Sequence, residues 1–246
     1  MHLPDFKLER YFARYEFAAP YLLCCSDCES FSVSELLQMP SGTGDTLGKL
    51  WLGYTESSGH PALRSEIAGL YDGTGSEAIL VHAGAEEAIF NFMHVVLQPG
   101  DHLIVHSPGY QSLHQIAEAI GCEVTHWQAD EHKNWAPDID FLAGAIRKNT
   151  RVIVLNCPHN PTGYLLPNSD FRHVIDIARQ HNLYLFSDEV YRFLEYQPAD
   201  RLPAACDLYE KAVSLGVMSK AFGLAGLRIG WLATRDAALL ERLKAF

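Results

Sequence analysis

The sequence predicts an α/β fold in which a mostly parallel sheet has helices on both faces. Short, continuously apolar runs such as "RVIVLN" at 151–156 and "LYLFSDE" at 183–189 are typical of parallel strands buried on both sides. Amphipathic segments with helical periodicity alternate with these runs, as in "SDFRHVIDIARQHN" at 169–182. Alternation of this kind along one chain indicates a layered α/β sheet.

Seven strands are predicted along the chain. They lie near residues 79, 103, 124, 153, 184, 213 and 229. The helices between them should each bury one apolar face: Ala88, Ile89, Phe92, Met93 and Val96 in one helix, and Phe171, Val174, Ile175 and Ala178 in another. Gly121 should end a third helix that begins near Ser112, and further helices are expected over Leu8–Phe17 and in the last segment, "RDAALLERLKAF".

Composition excludes several classes of protein. The chain has 246 residues and a formal net charge of −11, which makes it a poor general binder of nucleic acid or of anionic membranes. No run of about 18 apolar residues is present, and the charged N-terminus does not resemble a signal peptide, so we expect a cytoplasmic protein with reduced thiols. Cys25 and Cys28 form a lone C-x-x-C pair, and no metal site is expected.

A glycine-rich segment, "PSGTGDTLGKLWLGY" at 40–54, does not fit the phosphate-binding P-loop. Thr43 occupies the position of the first P-loop glycine, and Leu50 stands where a magnesium-binding Ser or Thr is required. We therefore interpret the segment as a flexible connection. We divide the chain there into residues 1–40 and residues 41–246, which the family resemblance given below implies are an N-terminal arm with part of a small domain and a large cofactor-binding domain.

Chemically useful side chains follow the predicted strands, where ligands of open α/β sheets bind. Lys220 is the most unusual, because no acidic residue occurs anywhere from Ser214 to Trp231, while Arg228 is close in sequence. Apolar surroundings and a nearby cation should lower the pKa of a lysine and free its amine for nucleophilic attack. Pyridoxal phosphate needs such an amine for its aldehyde, an acid for its pyridine nitrogen, and cations or amides for its phosphate.

Other residues at the same strand ends match these needs. Asp188 could keep the pyridine nitrogen protonated, and Tyr191 and Asn160 could bind the ring hydroxyl. Tyr110 could stack on the ring, and the helix N-terminus after Gly84 would offer backbone N–H groups to the phosphate.

Three ordered blocks carry a family resemblance: "HNPTG" at 159–163, "SDEVY" at 187–191 and "SKAFGLAGLRIGW" at 219–231. With them, the chain from Gly53 to Trp231 resembles the class I/II aminotransferases, which are fold-type I pyridoxal-phosphate enzymes. The resemblance implies a three-layer αβα large domain, transfer of an amino group between an amino acid and a 2-oxo acid, and a homodimer with shared active sites. It implies covalent attachment of the cofactor to Lys220, with catalysis by Lys220, Asp188 and Tyr191 and cofactor contacts from Ala85, Glu86, Tyr110, Asn160, Ser219, Arg228 and, from the neighbouring subunit, Tyr54.

The chain departs from the family pattern at three points. Val217 stands where the family often has a phosphate-binding serine, and Glu86 stands where a neutral residue is common. The chain ends at Phe246, so the C-terminal small domain that carries a substrate-binding arginine is expected to be missing. Two alternatives therefore stay open: a lyase or cyclase that uses the same cofactor, and a truncated inactive module that binds it.

Overall fold

A computed structural model describes residues 3–39 and 47–246 of the chain. Residues 40–46 of the predicted flexible connection at 40–54, and with them the division between residues 40 and 41, lie outside the described residues. In the described part of the chain, no helix combines the length and the apolar character needed to cross a membrane.

One mixed sheet forms the centre of the molecule. Its strands are β1 (Ile79–His82), β2 (His102–Ser107), β3 (Glu123–Asp130), β4 (Ala136–Pro137), β5 (Thr150–Asn156), β6 (Tyr184–Asp188), β7 (Ala212–Val217) and β8 (Gly230–Thr234). Their order across the sheet is β1-β8-β7-β6-β5-β2-β3-β4. The run β7-β6-β5-β2-β3 is parallel, whereas β8 is antiparallel to both β7 and β1.

The predicted parallel α/β sheet is thus confirmed, with one more strand among the described residues than the seven expected. The additional strand is β4, which pairs with β3 over two residues only. A two-residue strand has no apolar run from which it could be predicted.

The helices are α1 (Lys7–Tyr15), α2 (Val33–Gln38), α3 (Pro61–Ala68), α4 (Ala85–Val96), α5 (Ser112–Ile120), α6 (Ile139–Gly144), α7 (Asn168–Gln180), α8 (Ala205–Leu208) and α9 (Ala237–Ala245). Gly121 ends α5 in the left-handed conformation at φ 101°, as predicted. The expected apolar faces of α4 and α7 are buried, except that Val96 is only partly covered.

Successive residues of the strands point to opposite faces of the sheet, so two cores form. In β5, Val152 and Val154 join the core that contains α4, α5 and α9, whereas Ile153 joins the core that contains α7. This places helices on both faces and gives the three-layer αβα arrangement. It also brings the carboxyl ends of the parallel strands to one edge, where the loops carry the predicted site residues.

Two glycines let strand β8 approach the beginning of helix α4. A Cβ atom on Gly230 would stand 2.5 Å from the backbone carbon of Gly84 and 2.8 Å from the nitrogen of Ala85. Gly84 itself has φ of 98°, a conformation that side chains disfavour. The close backbone approach fixes where the N-terminus of α4 lies.

We expect Gly230→Ala to destabilise the protein by about 1–3 kcal/mol, because the added methyl group must displace the backbone of Gly84. Gly226→Ala is the matched control, since a Cβ there meets no atom within 4 Å. Urea unfolding of both variants measures the difference. Equal midpoints for the two variants would show that the backbone approach is not tight.

Candidate active site

A cavity of about 320 Å³ lies at the carboxyl ends of the parallel strands. Such a volume is at the lower end of small-molecule sites. The structure brings most of the sequence-predicted site residues to its wall: Ala85, Glu86, Tyr110, Asn160, Asp188, Tyr191, Ser219, Lys220 and Arg228.

Tyr54 is the predicted site residue that the structure does not bring to this cavity. Its side chain is fully exposed, and the neighbouring Trp51 and Leu52 are 83% and 90% exposed. Within one chain, Tyr54 therefore has no part in the site.

The beginning of helix α4 forms an electropositive corner of the cavity. Gly84 precedes the helix, and no side chain caps it among the described residues, so the first backbone N–H groups stay available. Arg228 lies against this turn: a Cβ on Gly84 would be 2.8 Å from Nη2 of Arg228. Arg228 forms no ion pair with a carboxylate in the described ranges 3–39 and 47–246, and Ser219 lines the same cavity. These groups together suit a bound anion.

Asp188 is the buried acid of the site. Only 4% of the residue is exposed, and its Oδ1 accepts a hydrogen bond from the backbone N–H of Val190 at 3.2 Å. Burial raises its pKa to about 7, the Val190 hydrogen bond opposes the rise, and the charge of Lys220 opposes it further. A carboxylate in this position needs a cationic partner to be fully ionised at neutral pH.

Lys220 has an acidic partner that the surrounding sequence does not reveal. Its Nζ forms a short ion pair and hydrogen bond with Oδ1 of Asp27 and lies 5.9 Å from the centre of the Tyr191 ring. The prediction of a lowered pKa was wrong. Burial does lower the pKa of Lys220, but the hydrogen bond to Asp27, with the nearby Tyr191 and Asp27 charges, outweighs burial and raises it.

The side chain of Asn156 connects the loops around Asp188. Nδ2 of Asn156 donates to the backbone oxygen of Asp188 at 3.0 Å, and Oδ1 of Asn156 accepts from the backbone N–H of Asn160 at 2.7 Å. Asn156 thus holds the "HNPTG" segment beside the buried acid. The position of Asn156 at the end of β5 is the sequence feature that could have marked it as a site residue. Its role in connecting the loops is visible only in the three-dimensional structure.

Glu86 and Val217, the two residues of the cavity wall that depart from the family pattern, lie in different environments. The carboxylate of Glu86 accepts a short hydrogen bond from the hydroxyl of Ser112, and burial raises its pKa. Part of its charge is therefore engaged by helix α5. Val217 is buried at the end of β7 and contributes an apolar contact where a hydroxyl was expected.

The N-terminal segment supplies the wall that sequence reasoning missed. Carboxylates of Glu9, Glu16 and Asp27 line the cavity. The segment is held in place by hydrogen bonds from the N–H of Phe31 to the oxygen of Gly223, at 3.1 Å, and from Gln111 to the oxygen of Asp5, at 3.0 Å. No local motif predicts these contacts, because they join residues more than a hundred positions apart.

Replacing Asp27 by asparagine should lower the pKa of Lys220 in the cofactor-free protein, since burial then acts on the amine without its main opposing partner. The pH dependence of Lys220 acylation by a labelled anhydride, quantified by peptide mass spectrometry, measures this pKa. Glu29→Gln, two residues further along, is the control. An unchanged titration in Asp27→Asn would mean that the ion pair does not govern the amine.

The model of a protein family described as aminotransferase class I and II matches residues 41–246. Among curated proteins, the chain is 30% identical over 199 residues to an aspartate aminotransferase of Pyrococcus horikoshii, covering 79% of this chain and 51% of the relative. It is 32% identical over 188 residues to the glutamate–pyruvate aminotransferase of Escherichia coli, covering 73% and 46%. The chain thus spans about half the length of these relatives.

A solved structure of a PLP-dependent aminotransferase from Streptococcus suis superposes with a TM-score of 0.91 at 31% identity. The superposition covers 100% of this chain and 66% of the other. The match includes the N-terminal segment that forms one wall of the cavity.

Proposed function

Since the chain belongs to the class I and II aminotransferase family, we propose that it binds pyridoxal 5′-phosphate and acts in a transamination reaction. In this reaction an amino group moves between an amino acid and a 2-oxo acid. The observation that carries this proposal is the convergence of Lys220, Asp188 and Arg228 on one cavity. These side chains are an amine, a buried acid and an anion-binding cation, and the cofactor has a complementary group for each.

The residues present fit the cofactor. The uncapped start of α4 at Ala85 and Glu86, together with Ser219 and Arg228, would hold its phosphate. Asp188 would pair with its pyridine nitrogen, and this pairing would supply the cation that the buried carboxylate lacks. Tyr191 and Asn160 would bind the ring hydroxyl, and Tyr110 would stack on the ring, while Lys220 would attach covalently to the aldehyde.

When bound, pyridoxal phosphate supplies an electron sink for the α-carbon of an amino acid. The chain contributes positioning and proton transfer. Lys220 must lose its proton and leave Asp27 before it acts, and its Nζ then serves as the base that removes the proton from the α-carbon of the substrate. Asp188, which is buried, would be ionised by its pairing with the pyridine nitrogen and would keep that nitrogen protonated.

A homodimer completes this proposal. Trp51, Leu52 and Tyr54 form an exposed segment with two strongly apolar side chains, which is the type of surface that a partner covers. In a homodimer, Tyr54 would reach the phosphate site of the neighbouring subunit. We place this protein in the cytoplasm.

The test is a spectroscopic assay of the purified chain with pyridoxal phosphate, single amino acids, and 2-oxo acids. The proposed function requires a visible absorbance band that changes with an amino donor and returns with a 2-oxo acid. Release of ammonia without any need for a 2-oxo acid would indicate a lyase instead. An absorbance band that does not change with any amino acid would indicate a module that binds the cofactor without catalysing transamination.

A further inference from the structure

A second cluster of reactive side chains lies away from the cavity wall, between helix α5 and strand β3. His114 and Glu118 are on α5, one turn apart, and His126 is on β3. One ring nitrogen of each histidine and one carboxylate oxygen lie within 4.8 Å of one another. The sequence predicted no metal site, because these three residues form no contiguous motif.

We propose that His114, Glu118 and His126 form a binding site for Zn²⁺ that joins α5 to β3. Two imidazoles and one carboxylate are a ligand set that zinc accepts, with water as the fourth ligand. Imidazole ligands favour zinc over calcium or magnesium, which take oxygen ligands.

One ligand–ligand distance already matches a zinc site, and the third ligand atom lies within 4.8 Å of the other two. Nδ1 of His114 lies 3.1 Å from Oε1 of Glu118. Two ligands on one tetrahedral zinc ion, each at about 2.0–2.2 Å, stand roughly 3.3 Å apart. The ring centres of His114 and His126 are 5.2 Å apart at an interplanar angle of 72°, so the rings do not stack against each other.

A second contact orients the third ligand. Nδ1 of His126 lies 2.8 Å from the hydroxyl of Ser107, which is 5% exposed. If the histidine donates this hydrogen bond, Nε2 is left unprotonated as a metal ligand.

The ordinary interpretation of the cluster is an ion pair between residues 114 and 118 on one helix. The side chains are 22% and 43% exposed, and such surface pairs contribute little. That interpretation leaves His126 with only its hydrogen bond to Ser107. A zinc ion, by contrast, would use all three side chains and would fasten α5, whose first residue binds Glu86 of the cavity wall.

The experiment measures Zn²⁺ binding to the full chain after removal of metals with a chelator. Calorimetric titration is done in a Cys25→Ser/Cys28→Ser background, so that the C-x-x-C thiols do not compete. We expect one Zn²⁺ per chain, and at least tenfold weaker binding in His126→Ala, His114→Ala and Glu118→Gln. His132→Ala is the control, because this exposed histidine follows β3 without joining the cluster.

Thermal unfolding provides the second readout. Zinc should raise Tm in the parent and in His132→Ala, and it should leave Tm unchanged in the ligand variants. If His126→Ala fails to fold, His114→Ala decides, since its side chain is partly exposed. Equal affinity in parent and ligand variants, or no uptake at tenfold excess of zinc, would overturn the proposal.

Discussion

Alanine at position 220 is expected to abolish covalent attachment of pyridoxal phosphate and to reduce amino transfer at least a thousandfold. The amine of Lys220 is the group that would bond to the aldehyde and later take the substrate proton, so its loss removes two functions at once. No neighbouring lysine is placed to replace it among the described residues that line the cavity.

Borohydride treatment followed by intact-mass measurement reads out the covalent bond directly. The parent should gain the mass of the reduced cofactor, and Lys220→Ala should not. Lys211→Ala is the matched control. Lys211 lies just before β7, at the opposite end of the strand from Lys220, and the ammonium group of Lys211 lies over the Tyr184 ring. Retained labelling in Lys220→Ala would contradict the proposed function.

The second large effect is expected from Asp188→Asn. An amide cannot hold a proton on the pyridine nitrogen, and the loss of one preorganised electrostatic contact of this kind typically costs about 2.7–4 kcal/mol of transition-state stabilisation. We therefore expect the rate of the half-reaction with an amino donor to fall by about 10²–10³-fold. Stopped-flow absorbance measures this rate, and Asp200→Asn, an exposed position outside the cavity, is the control. A rate within threefold of the parent would contradict the assigned role.

The same substitution should change how the stability of the cofactor-free protein depends on pH. Asp188 ionises with a pKa of about 7 in the folded protein, against an ordinary 3.8 when unfolded. A raised pKa means that the folded state keeps a proton that the unfolded state has lost. The contribution of Asp188 to the free energy of unfolding is therefore complete below pH 4. It decreases by up to about 4 kcal/mol as the pH rises to about 7, and it is constant above that pH.

Asp188→Asn removes this dependence. Urea unfolding at pH 4 should give similar free energies for both proteins, and at pH 8 the variant should be the more stable. A parallel pH profile for the two proteins would show that Asp188 is ionised at low pH despite its burial.

Residues that belong to a regular apolar pattern, or that directly follow an apolar strand, were the ones whose positions the sequence predicted. Apolar periodicity predicted the buried faces of α4 and α7, and the strand ends predicted the convergence of Lys220, Asp188 and Tyr110. The direction of β8 was not predictable, because an apolar run has the same appearance in either direction.

Asp27 is a site residue that the sequence could not predict. It lies 193 positions from Lys220, and nothing in the composition of either segment links them. The expected nucleophile was therefore assigned a lowered pKa, although a distant carboxylate raises it. Charge–charge contacts of long sequence separation depend on the assembled fold, and only coordinates reveal them.

In the cofactor-free protein, the ion pair between Lys220 and Asp27 keeps the amine protonated. A protonated amine has no lone pair to offer, so sugars, cyanate and other stray electrophiles meet an unreactive group. Newly made chains would then remain chemically intact in a medium full of competing carbonyl compounds.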